Sequence, residues 1–415
     1  MKKLRRLLLI LNSLLVSFAM YAEASEIPLW EKLTLKECRS KLEEKGYSFG
    51  LDYTGDITFN KTGGTKRGDS YLGLLDSSLE IDTSKASLWE GGTFFINTIY
   101  TFGNGFPSAD FTGDMQGLDN IEAPRLFRLF EVWYEQRFIN DKLSARGGLY
   151  DINSEFNVTD YGSLFINSSF GLNPAVSLNT TASTYPLAAP GLRLKLDPNE
   201  HLSLLSAILS GDPGDENNNP HGLNPVWNNE RGTFAIYEIQ IKGNTPLLYG
   251  DLPGTIKIGG WYNSKNTDDL TDTDGNGDPI KHNGNRGIYA IIDQMLFKEN
   301  ENENEGLGIF FQYGQSPEDR NTIDSYIGLG INYTGLFPNR NEDVFGLAFG
   351  RASSGNSYRL TGDFDKEEDI IEATYLIHLH ENISLQPDYQ VIYNPSVDPS
   401  IKNTQVAVLR LNVSF

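Results

Sequence analysis

The chain has 415 residues, with 34 Lys and Arg against 55 Asp and Glu, so its formal net charge is −21 at pH 7. This acidic balance disfavours nucleic acids and anionic lipid surfaces as partners. Cys38 is the single cysteine, which excludes an intrachain disulfide. No apolar segment after residue 20 is long enough for a membrane-spanning helix. A mean hydropathy of −0.37 is compatible with a membrane β-barrel, because half of each strand is polar.

The first 24 residues have the three parts of a secretory signal peptide. A basic start precedes an apolar run and a small-residue cleavage site, which are Lys2 to Arg6, Leu7 to Met20 and Ala22-Glu23-Ala24. We expect cleavage after Ala24, with cleavage after Ala22 as the alternative. Cleavage removes four basic residues and one acidic residue, which changes the net charge from −21 to −24.

Residues 25–48 are predicted to form a periplasmic N-terminal segment. The sequence from Leu33 to Gly46 favours a short helix, and Gly46 is a plausible stop for it. We interpret this segment as a capping or plugging element of the domain that follows.

Residues 49–415 are predicted to form one all-β domain, a transmembrane antiparallel β-barrel of about 16 strands. An even number of strands is what bacterial single-chain barrels require. The candidate strands are residues 49–59, 70–83, 91–102, 127–138, 142–151, 190–196, 201–210, 232–243, 254–264, 286–297, 306–315, 324–333, 343–353, 368–381, 383–393 and 404–415.

Many of these candidates alternate between apolar and polar residues, the pattern of a strand with one apolar face. In the last run, Leu409, Leu411, Val413 and Phe415 share one face, and Arg410 lies on the other. A strand that ends on an aromatic residue is typical of the C-terminal strand of an outer-membrane barrel. The alternative is an edge strand of a soluble sheet.

The connections between the candidates alternate in length. Tight turns at 139–141, 197–200 and 381–382 follow even-numbered strands, and the long connections follow odd-numbered strands, at 103–126, 152–189, 211–231 and 265–285. Outer-membrane barrels have this asymmetry, with short periplasmic turns and long outer loops. A soluble sandwich gives no reason for such sorting.

Four segments carry a family resemblance. They are KLEEKGYSFGLDYTGD at 41–56, RLFRLFEVWYEQRFINDKLSARGGLYDINSEF at 125–156, YGSLFINSSFG at 161–171, and SLQPDYQ at 384–390 with the closing RLNVSF. Together they resemble the carbohydrate-selective porins of Gram-negative outer membranes, the OprB-type family. The resemblance implies a barrel of about 16 strands in the outer membrane, an inward-folded constriction and passive uptake of sugars.

The parity of each strand predicts which side chains line the channel. A charge on the lipid face costs about 2–4 kcal/mol at the membrane midplane for Arg or Lys, so charged residues are expected inside. We assign Phe130, Val132, Tyr134 and Leu149 to the lipid side. The residues expected to line the pore and to bind sugar are Glu131, Trp133, Glu135, Arg146, Tyr150, Arg193, Glu238 and Trp261.

These residue types suit a sugar because they combine hydrogen-bonding groups with flat rings. The alternative is that they only solvate a general water-filled pore.

The connection 152–189 is too long for a simple turn and is rich in aromatic residues and Asn. We expect Phe165, Asn167, Phe170 and Tyr185 to narrow the barrel. The alternative is an external loop that packs on itself.

An acidic loop has the first half of a calcium-binding pattern, with Asp272, Asp274, Asn276 and Asp278 as candidate ligands. The twelfth position is Asn283 rather than Glu, and a solvated acidic loop is the alternative. His378 and His380 share a strand face, but no third metal ligand is evident.

The sequence therefore predicts an outer-membrane channel for passive diffusion of small carbohydrates, with no catalytic residues and no cofactor beyond the candidate calcium. Expected partners are small sugars, outer-membrane lipid, the barrel assembly machinery through the C-terminal strand, and further copies of the chain in a homo-oligomer. Nucleic acid is not expected. The alternatives are a general cation-favouring porin, a barrel enzyme that uses His378 or His380 and, least favoured, a secreted soluble β protein.

Overall fold

The computed structural model describes residues 36–243, 252–299 and 305–415. The predicted signal peptide lies outside the described residues. In the N-terminal segment, helix α1 (Lys36–Glu43) falls within the predicted helix. Among the described residues, no helix has the length and apolar character needed to cross a membrane.

Sixteen antiparallel strands form a closed barrel, as predicted, and β1 pairs with β18 to close it. Strands β10 and β11 form a separate hairpin between β9 and β12, within the predicted long connection 265–285. The strands are β1 (Tyr47–Gly64), β2 (Gly68–Asp82), β3 (Gly92–Gly103), β4 (Leu126–Phe138), β5 (Leu143–Tyr150), β6 (Ala189–Asn199), β7 (Leu202–Ser210), β8 (Thr233–Lys242), β9 (Gly254–Asn263), β10 (Thr267–Thr273), β11 (Pro279–His282), β12 (Asn285–Lys298), β13 (Gly306–Gln315), β14 (Ile323–Thr334), β15 (Val344–Ser354), β16 (Glu367–His380), β17 (Ile383–Tyr393) and β18 (Lys402–Ser414).

Short helical turns occur only in connections within the described ranges. They are a π-helical turn (Pro107–Thr112), α2 (Ser168–Gly171), α3 (Pro174–Ser177), α4 (Asn356–Leu360) and 3-10 turns at Ile152–Ser154, Gly162–Leu164 and Pro395–Val397. The long connections share one end of the barrel. At the other end, the β4–β5 turn closes tightly because Ile139, Asn140 and Asp141 all adopt positive φ angles of 52–64°.

The two faces of each strand meet different surroundings. In β1, Ile57 and Phe59 point outward and are each 40% exposed, whereas Asp56 and Thr58 point inward and are buried. Closure of the sheet gives every strand two neighbours, which satisfies the backbone polar groups in a medium without water. The apolar exterior and polar interior are those of a membrane barrel.

A bulge in β4 corrects one predicted face. Asn97 pairs with Glu131 and Thr98 pairs with Leu129, so Phe130 is an extra residue in β4. A bulge redirects side chains relative to simple alternation. Phe130 is buried and meets the Tyr185 ring edge-on at 6.0 Å between centroids, so its predicted lipid-facing position was wrong. Leu149 belongs to the same buried cluster and is not exposed to lipid either.

The closing seam between β1 and β18 contains a buried ion pair. Asp56 and Arg410 are directly opposed across the seam, and Arg410 Nη2 lies 2.7 Å from Asp56 Oδ2. The same guanidinium nitrogen lies 3.3 Å from Asp119 Oδ1, in the connection between β3 and β4. Arg410 therefore links the first strand, the last strand and the connection between β3 and β4 at one point.

Replacement of Arg410 by Leu should destabilise the barrel. The change leaves Asp56 and Asp119 buried without a cation, which typically costs about 3–5 kcal/mol. The free energy of unfolding is measured by urea titration in lipid vesicles with tryptophan fluorescence. The matched control is Arg137→Leu, because Arg137 lies 3.6 Å from Asp141 in an exposed pair. That control should change the free energy by less than about 1 kcal/mol, and equal losses in both variants would contradict a structural role for the seam pair.

Candidate functional site in the barrel constriction

The connection between β5 and β6, residues 151–188, lies inside the barrel and is called the constriction loop here. Its apolar residues form two buried clusters with inward residues of the wall. Phe165 and Phe170 pack on Phe310 of β13, with ring centroids 5.6 and 5.9 Å from it. Phe156 belongs to the other cluster, together with Phe234 of β8. The loop thus has a hydrophobic attachment to the wall.

Buried carboxylates of the barrel wall accept hydrogen bonds from the backbone of this loop. Glu238 Oε2 accepts from the N–H of Asn157 at 2.9 Å. Asp293 Oδ1 accepts from the N–H of Tyr161 at 3.1 Å. Buried carboxylates and buried N–H groups are each costly without a partner, so this pairing satisfies both.

Glu372 of β16 makes the same kind of contact with two consecutive loop residues. Its two carboxylate oxygens accept from the N–H groups of Ile166 and Asn167, at 2.6 and 3.1 Å. Glu238, Asp293 and Glu372 are called the docking carboxylates below. They come from strands β8, β12 and β16, so they hold the loop across much of the barrel circumference.

Inward side chains of other strands donate to the loop carbonyl groups. Gln312 donates to Phe170 O at 2.9 Å, Asn332 to Tyr161 O at 2.7 Å and Gln386 to Leu164 O at 2.8 Å. Lys257 Nζ donates to Val158 O at 2.5 Å. Both the N–H groups and the carbonyl groups of the loop backbone are thus hydrogen-bonded to the barrel wall.

The connection between β3 and β4, residues 104–125, also enters the barrel. Glu368 accepts from the N–H groups of Met115 and Gln116, at 3.0 and 3.1 Å. Gln390 Nε2 donates to Leu118 O at 3.0 Å. This second inserted loop bonds the constriction loop as well, because Asn120 N–H donates to Ile166 O at 2.9 Å.

The two inserted loops leave one part of the wall accessible. Inward residues of β8 to β17 that meet the loops are buried, as Glu238, Gln312 and Glu372 show. On β2 to β5, several inward side chains remain partly exposed, namely Asp76, Phe95, Trp133, Glu135 and Arg146. Passage through the constriction therefore follows the wall made by β2 to β5.

Four charged side chains form a network at this wall, where Arg193 of β6 is buried and the other three are partly exposed. Glu135 Oε2 lies 2.9 Å from Arg146 Nη2 and 3.0 Å from Arg193 Nη2. Glu155, from the constriction loop, receives two bonds of 2.8 Å from Nε and Nη2 of Arg193. It also lies 3.5 Å from Arg146 Nη1. This Arg–Glu network of two cations and two anions has no formal net charge.

Two aromatic rings, Trp133 and Phe95, lie next to the network. The Arg146 guanidinium lies 3.8 Å from the centre of the Trp133 ring, a cation–π contact. Phe95 stacks on Trp133 with centroids 4.9 Å apart. Arg146, Trp133 and Phe95 thus form a row of contacts across β5, β4 and β3, in which Phe95 and Trp133 both remain partly exposed.

The structure brings some predicted pore residues together and separates others. Trp133, Glu135, Arg146 and Arg193 meet at the Arg–Glu network, but Arg193 is itself buried and does not line the open channel. Glu131 is also buried, and its Oε1 accepts from the N–H of Asp151 at 2.9 Å at the start of the constriction loop.

Three further predicted pore-lining residues are covered as well. Glu238 is a docking carboxylate, Trp261 stacks on Phe234 with centroids 6.2 Å apart, and Tyr150 is fully buried in the same cluster. Their prediction as pore-lining residues was wrong, because inward parity does not distinguish open wall from wall covered by a loop.

The four loop residues predicted to narrow the channel also need correction in detail. The side chains of Phe165, Asn167 and Phe170 are buried against the wall, so the loop narrows the barrel with its backbone and bulk rather than with these groups. Asn167 donates to Gln390 Oε1 at 3.1 Å. Tyr185 is partly buried and donates to Ile121 O at 3.0 Å, which joins the two inserted loops.

Phe95 and Glu155 were missed in the sequence analysis. Phe95 lies between Phe94 and Ile96, which point outward, so strand alternation could have predicted that Phe95 points into the barrel. Glu155 lies outside any strand, so parity does not apply to it. Its carboxylate, one of two acidic groups in DINSEF, was the only indication.

The candidate calcium ligands lie at the turn of the β10–β11 hairpin. Asp274 Oδ1 accepts from the N–H groups of Asn276 and Asp278 at 2.8 and 3.1 Å, as in an Asx turn. Calcium binding by Asp272, Asp274, Asn276 and Asp278 stays a prediction. His378 Nδ1 is buried and has no hydrogen-bond partner among the residues that the structure describes.

A closed membrane barrel with two inserted loops and a charged constriction defines an outer-membrane diffusion channel. The comparisons with known proteins agree with this class. The model of the carbohydrate-selective porin, OprB family, matches residues 66–415. The chain belongs to this family, and it is an outer-membrane channel for carbohydrates in a Gram-negative bacterium.

Individual relatives are similar over nearly their whole length. Porin B of Pseudomonas aeruginosa is 24% identical, and the match covers 91% of this chain and 89% of that protein. The putative porin QuiX of Acinetobacter baylyi is 22% identical, with 91% of each chain covered. The high-pH structure of Pseudomonas putida OprB has a TM-score of 0.83 at 21% identity, covering 92% of this chain and 97% of that one. That similarity supports the fold.

Replacement of Glu372 by Ala should loosen the constriction loop. Each N–H group left without an acceptor costs about 1–3 kcal/mol, and this change affects Ile166 and Asn167. We expect larger and noisier single-channel conductance in planar bilayers and faster entry of disaccharides into liposomes. Glu372→Gln keeps one acceptor oxygen and should have a smaller effect.

The matched control is Glu367→Ala on the same strand, because Glu367 pairs with Arg351 away from the loop at 3.2 Å. Conductance that is equal in Glu372→Ala, Glu367→Ala and the unaltered channel would contradict the docking role of Glu372.

Proposed function

We propose that the Arg–Glu network and the ring of Phe95 form the sugar-selecting site of this channel. The observation that carries the proposal is their position on the accessible wall, next to the inserted loops. Glu135, Arg146 and Glu155 each remain partly exposed while they bond one another. A solute that passes the constriction meets these groups.

The chemistry of the site fits an uncharged sugar. Sugar hydroxyl groups donate to the carboxylates of Glu135 and Glu155 and accept from Arg146. The C–H face of a sugar ring packs against Phe95. Because the network has no formal net charge, it offers little electrostatic attraction to charged solutes. Each contact is weak, which permits release as well as capture.

We also propose that transport is passive and includes no catalytic step. The support is the pairing of the charged groups at the constriction, where Glu135 and Glu155 each lie next to both arginines. The solute gradient then drives the flux.

Swelling of proteoliposomes tests the sugar selectivity directly. Liposomes that contain the full channel are placed in mono-, di- and trisaccharides and in amino acids of matched size. We expect sugars to enter faster than amino acids of the same size. Rates that follow size alone would indicate a general pore, and a strong cation preference in the reversal potential would indicate the cation-favouring alternative.

Variants of Arg146 and Phe95 should separate the two parts of the site. Arg146→Ala leaves two carboxylates with one arginine, so sugar preference should fall and cation preference should rise. Phe95→Ala removes a stacking surface worth about 1 kcal/mol, or about a fivefold loss in sugar affinity. Sugar affinity is measured from the concentration dependence of ion-current block.

Arg351→Ala is the control for both variants, because Arg351 lies on the outer face beside Phe349, with the guanidinium 5.7 Å from its ring. It should change neither sugar preference nor ion preference. Unaltered sugar preference in Arg146→Ala and Phe95→Ala would exclude these residues from the selecting site.

We further propose that Phe415 contributes to recognition by the barrel assembly machinery. Its side chain has the outward parity of Leu411 and Val413, and its N–H donates to Leu51 O at 2.9 Å beside the short-turn end of the closing seam. A homo-oligomer stays a prediction, and the mass of the detergent-solubilised channel tests it.

Phe415→Ala should lower the amount of folded channel in the outer membrane of cells. Refolding of the purified chain into lipid vesicles should change little, because the seam hydrogen bonds are backbone bonds. Heat-modifiable migration in gels measures the folded fraction in both settings. Ser414→Ala serves as the control, and equal losses in cells and in vesicles would indicate a stability defect instead of an assembly defect.

A further inference from the structure

Three side chains that commonly bind metals lie together at the extracellular rim, away from the channel constriction. Asp269 belongs to β10, His282 ends β11, and Asp319 lies in the connection between β13 and β14. One ligand atom from each lies within 4.8 Å of the other two, and this is the one such group of three in the parts of the chain that the structure describes.

The histidine lies between the two carboxylates. His282 Nε2 is 2.8 Å from Asp269 Oδ2 and 3.6 Å from Asp319 Oδ2. Tetrahedral zinc with ligand distances of 2.0–2.2 Å sets its ligand atoms about 3.4 Å apart. These two separations lie on either side of that value, and shifts of about half an ångström would bring both to it.

Hydrogen bonds orient the Asp269 carboxylate towards the histidine. The N–H groups of Asp272 and Thr271 donate to Asp269 Oδ1 at 2.8 and 2.9 Å. This leaves Asp269 Oδ2 directed at His282 Nε2, 2.8 Å away.

Hydrogen bonds hold the β10–β11 hairpin next to the connection between β13 and β14. Leu270 N–H donates to Asp319 O at 2.8 Å. Arg320 donates from Nη1 to Gly284 O at 3.0 Å and from Nε to Asp319 Oδ1 at 2.7 Å. Asp319 Oδ2 also accepts from Arg320 Nη2, so Arg320 orients this carboxylate and balances part of its charge.

We propose that Asp269, His282 and Asp319 form a binding site for a divalent transition metal ion, with Zn²⁺ as the best fit. One imidazole nitrogen and two carboxylate oxygens suit zinc, whereas calcium takes oxygen ligands alone. The ion takes the place of the hydrogen bond between His282 Nε2 and Asp269 Oδ2. The imidazole binds it as the neutral form with its proton on Nδ1, and water completes the coordination. The bound ion cross-links the β10–β11 hairpin to the β13–β14 connection.

This site is distinct from the acidic turn at Asp274 and Asp278. The Asp274 carboxylate is bonded to N–H groups of its own turn, and no histidine belongs to that turn. His282 supplies the nitrogen ligand that separates the two sites chemically, and Asp319 supplies the cross-link to a second connection.

Zinc titration of the full chain in detergent tests the proposal. The purified channel is treated with EDTA, dialysed and titrated with ZnCl₂ in an isothermal calorimeter. We expect one Zn²⁺ per chain. His282→Gln and Asp319→Asn should each weaken binding at least about tenfold. Protease cleavage of the hairpin should slow when Zn²⁺ is added to the unaltered chain and should not slow in Asp319→Asn.

The control variant is His221→Gln, which removes another exposed histidine from a long connection and should bind zinc like the unaltered chain. Heat-modifiable gel migration verifies that each variant forms the barrel. Absence of zinc binding by the unaltered chain would overturn the proposal. So would unchanged binding in His282→Gln, or displacement of zinc by an equal concentration of CaCl₂.

Discussion

The hydrogen bonds between wall carboxylates and loop N–H groups are the interaction on which the constriction depends. A barrel of 16 strands encloses a water-filled lumen too wide to select small solutes. Its narrowing requires backbone to lie inside the barrel, where every polar group needs a partner. Glu238, Asp293 and Glu372 provide acceptors for that backbone. The loop in turn covers carboxylates that would otherwise add negative charge to the channel.

This arrangement separates the charge of the chain from the charge of the passage. The net charge of −21 includes carboxylates that serve loop docking, among them Glu372 and Glu368. On the accessible wall, Glu135 and Glu155 are balanced by Arg146 and Arg193. At this network the charges of the passage cancel, which is consistent with a channel for carbohydrates.

The sequence predicted the strands and the inward faces well, because alternation is a local property of each strand. It placed Glu135 and Arg146 inside the barrel, and the fold agrees. It failed at Glu238, whose inward parity is correct but whose partner is Asn157, a residue far away in the chain. It also failed at Phe130, where a bulge interrupts the alternation. Both failures come from long-range contacts that no local pattern contains.

The Arg–Glu network also limits how strongly a sugar binds. A hydroxyl group that enters the network gains a hydrogen bond worth about 0.5–1.5 kcal/mol net, and it partly displaces an existing bond between Glu135 and Arg146. The two terms nearly offset each other, so the sugar binds weakly and leaves quickly. A cationic or anionic solute instead competes with a charge pair and leaves one charge unbalanced in a narrow site. Selection between neutral and charged solutes then follows from the pairing of the charges rather than from tight binding of the sugar.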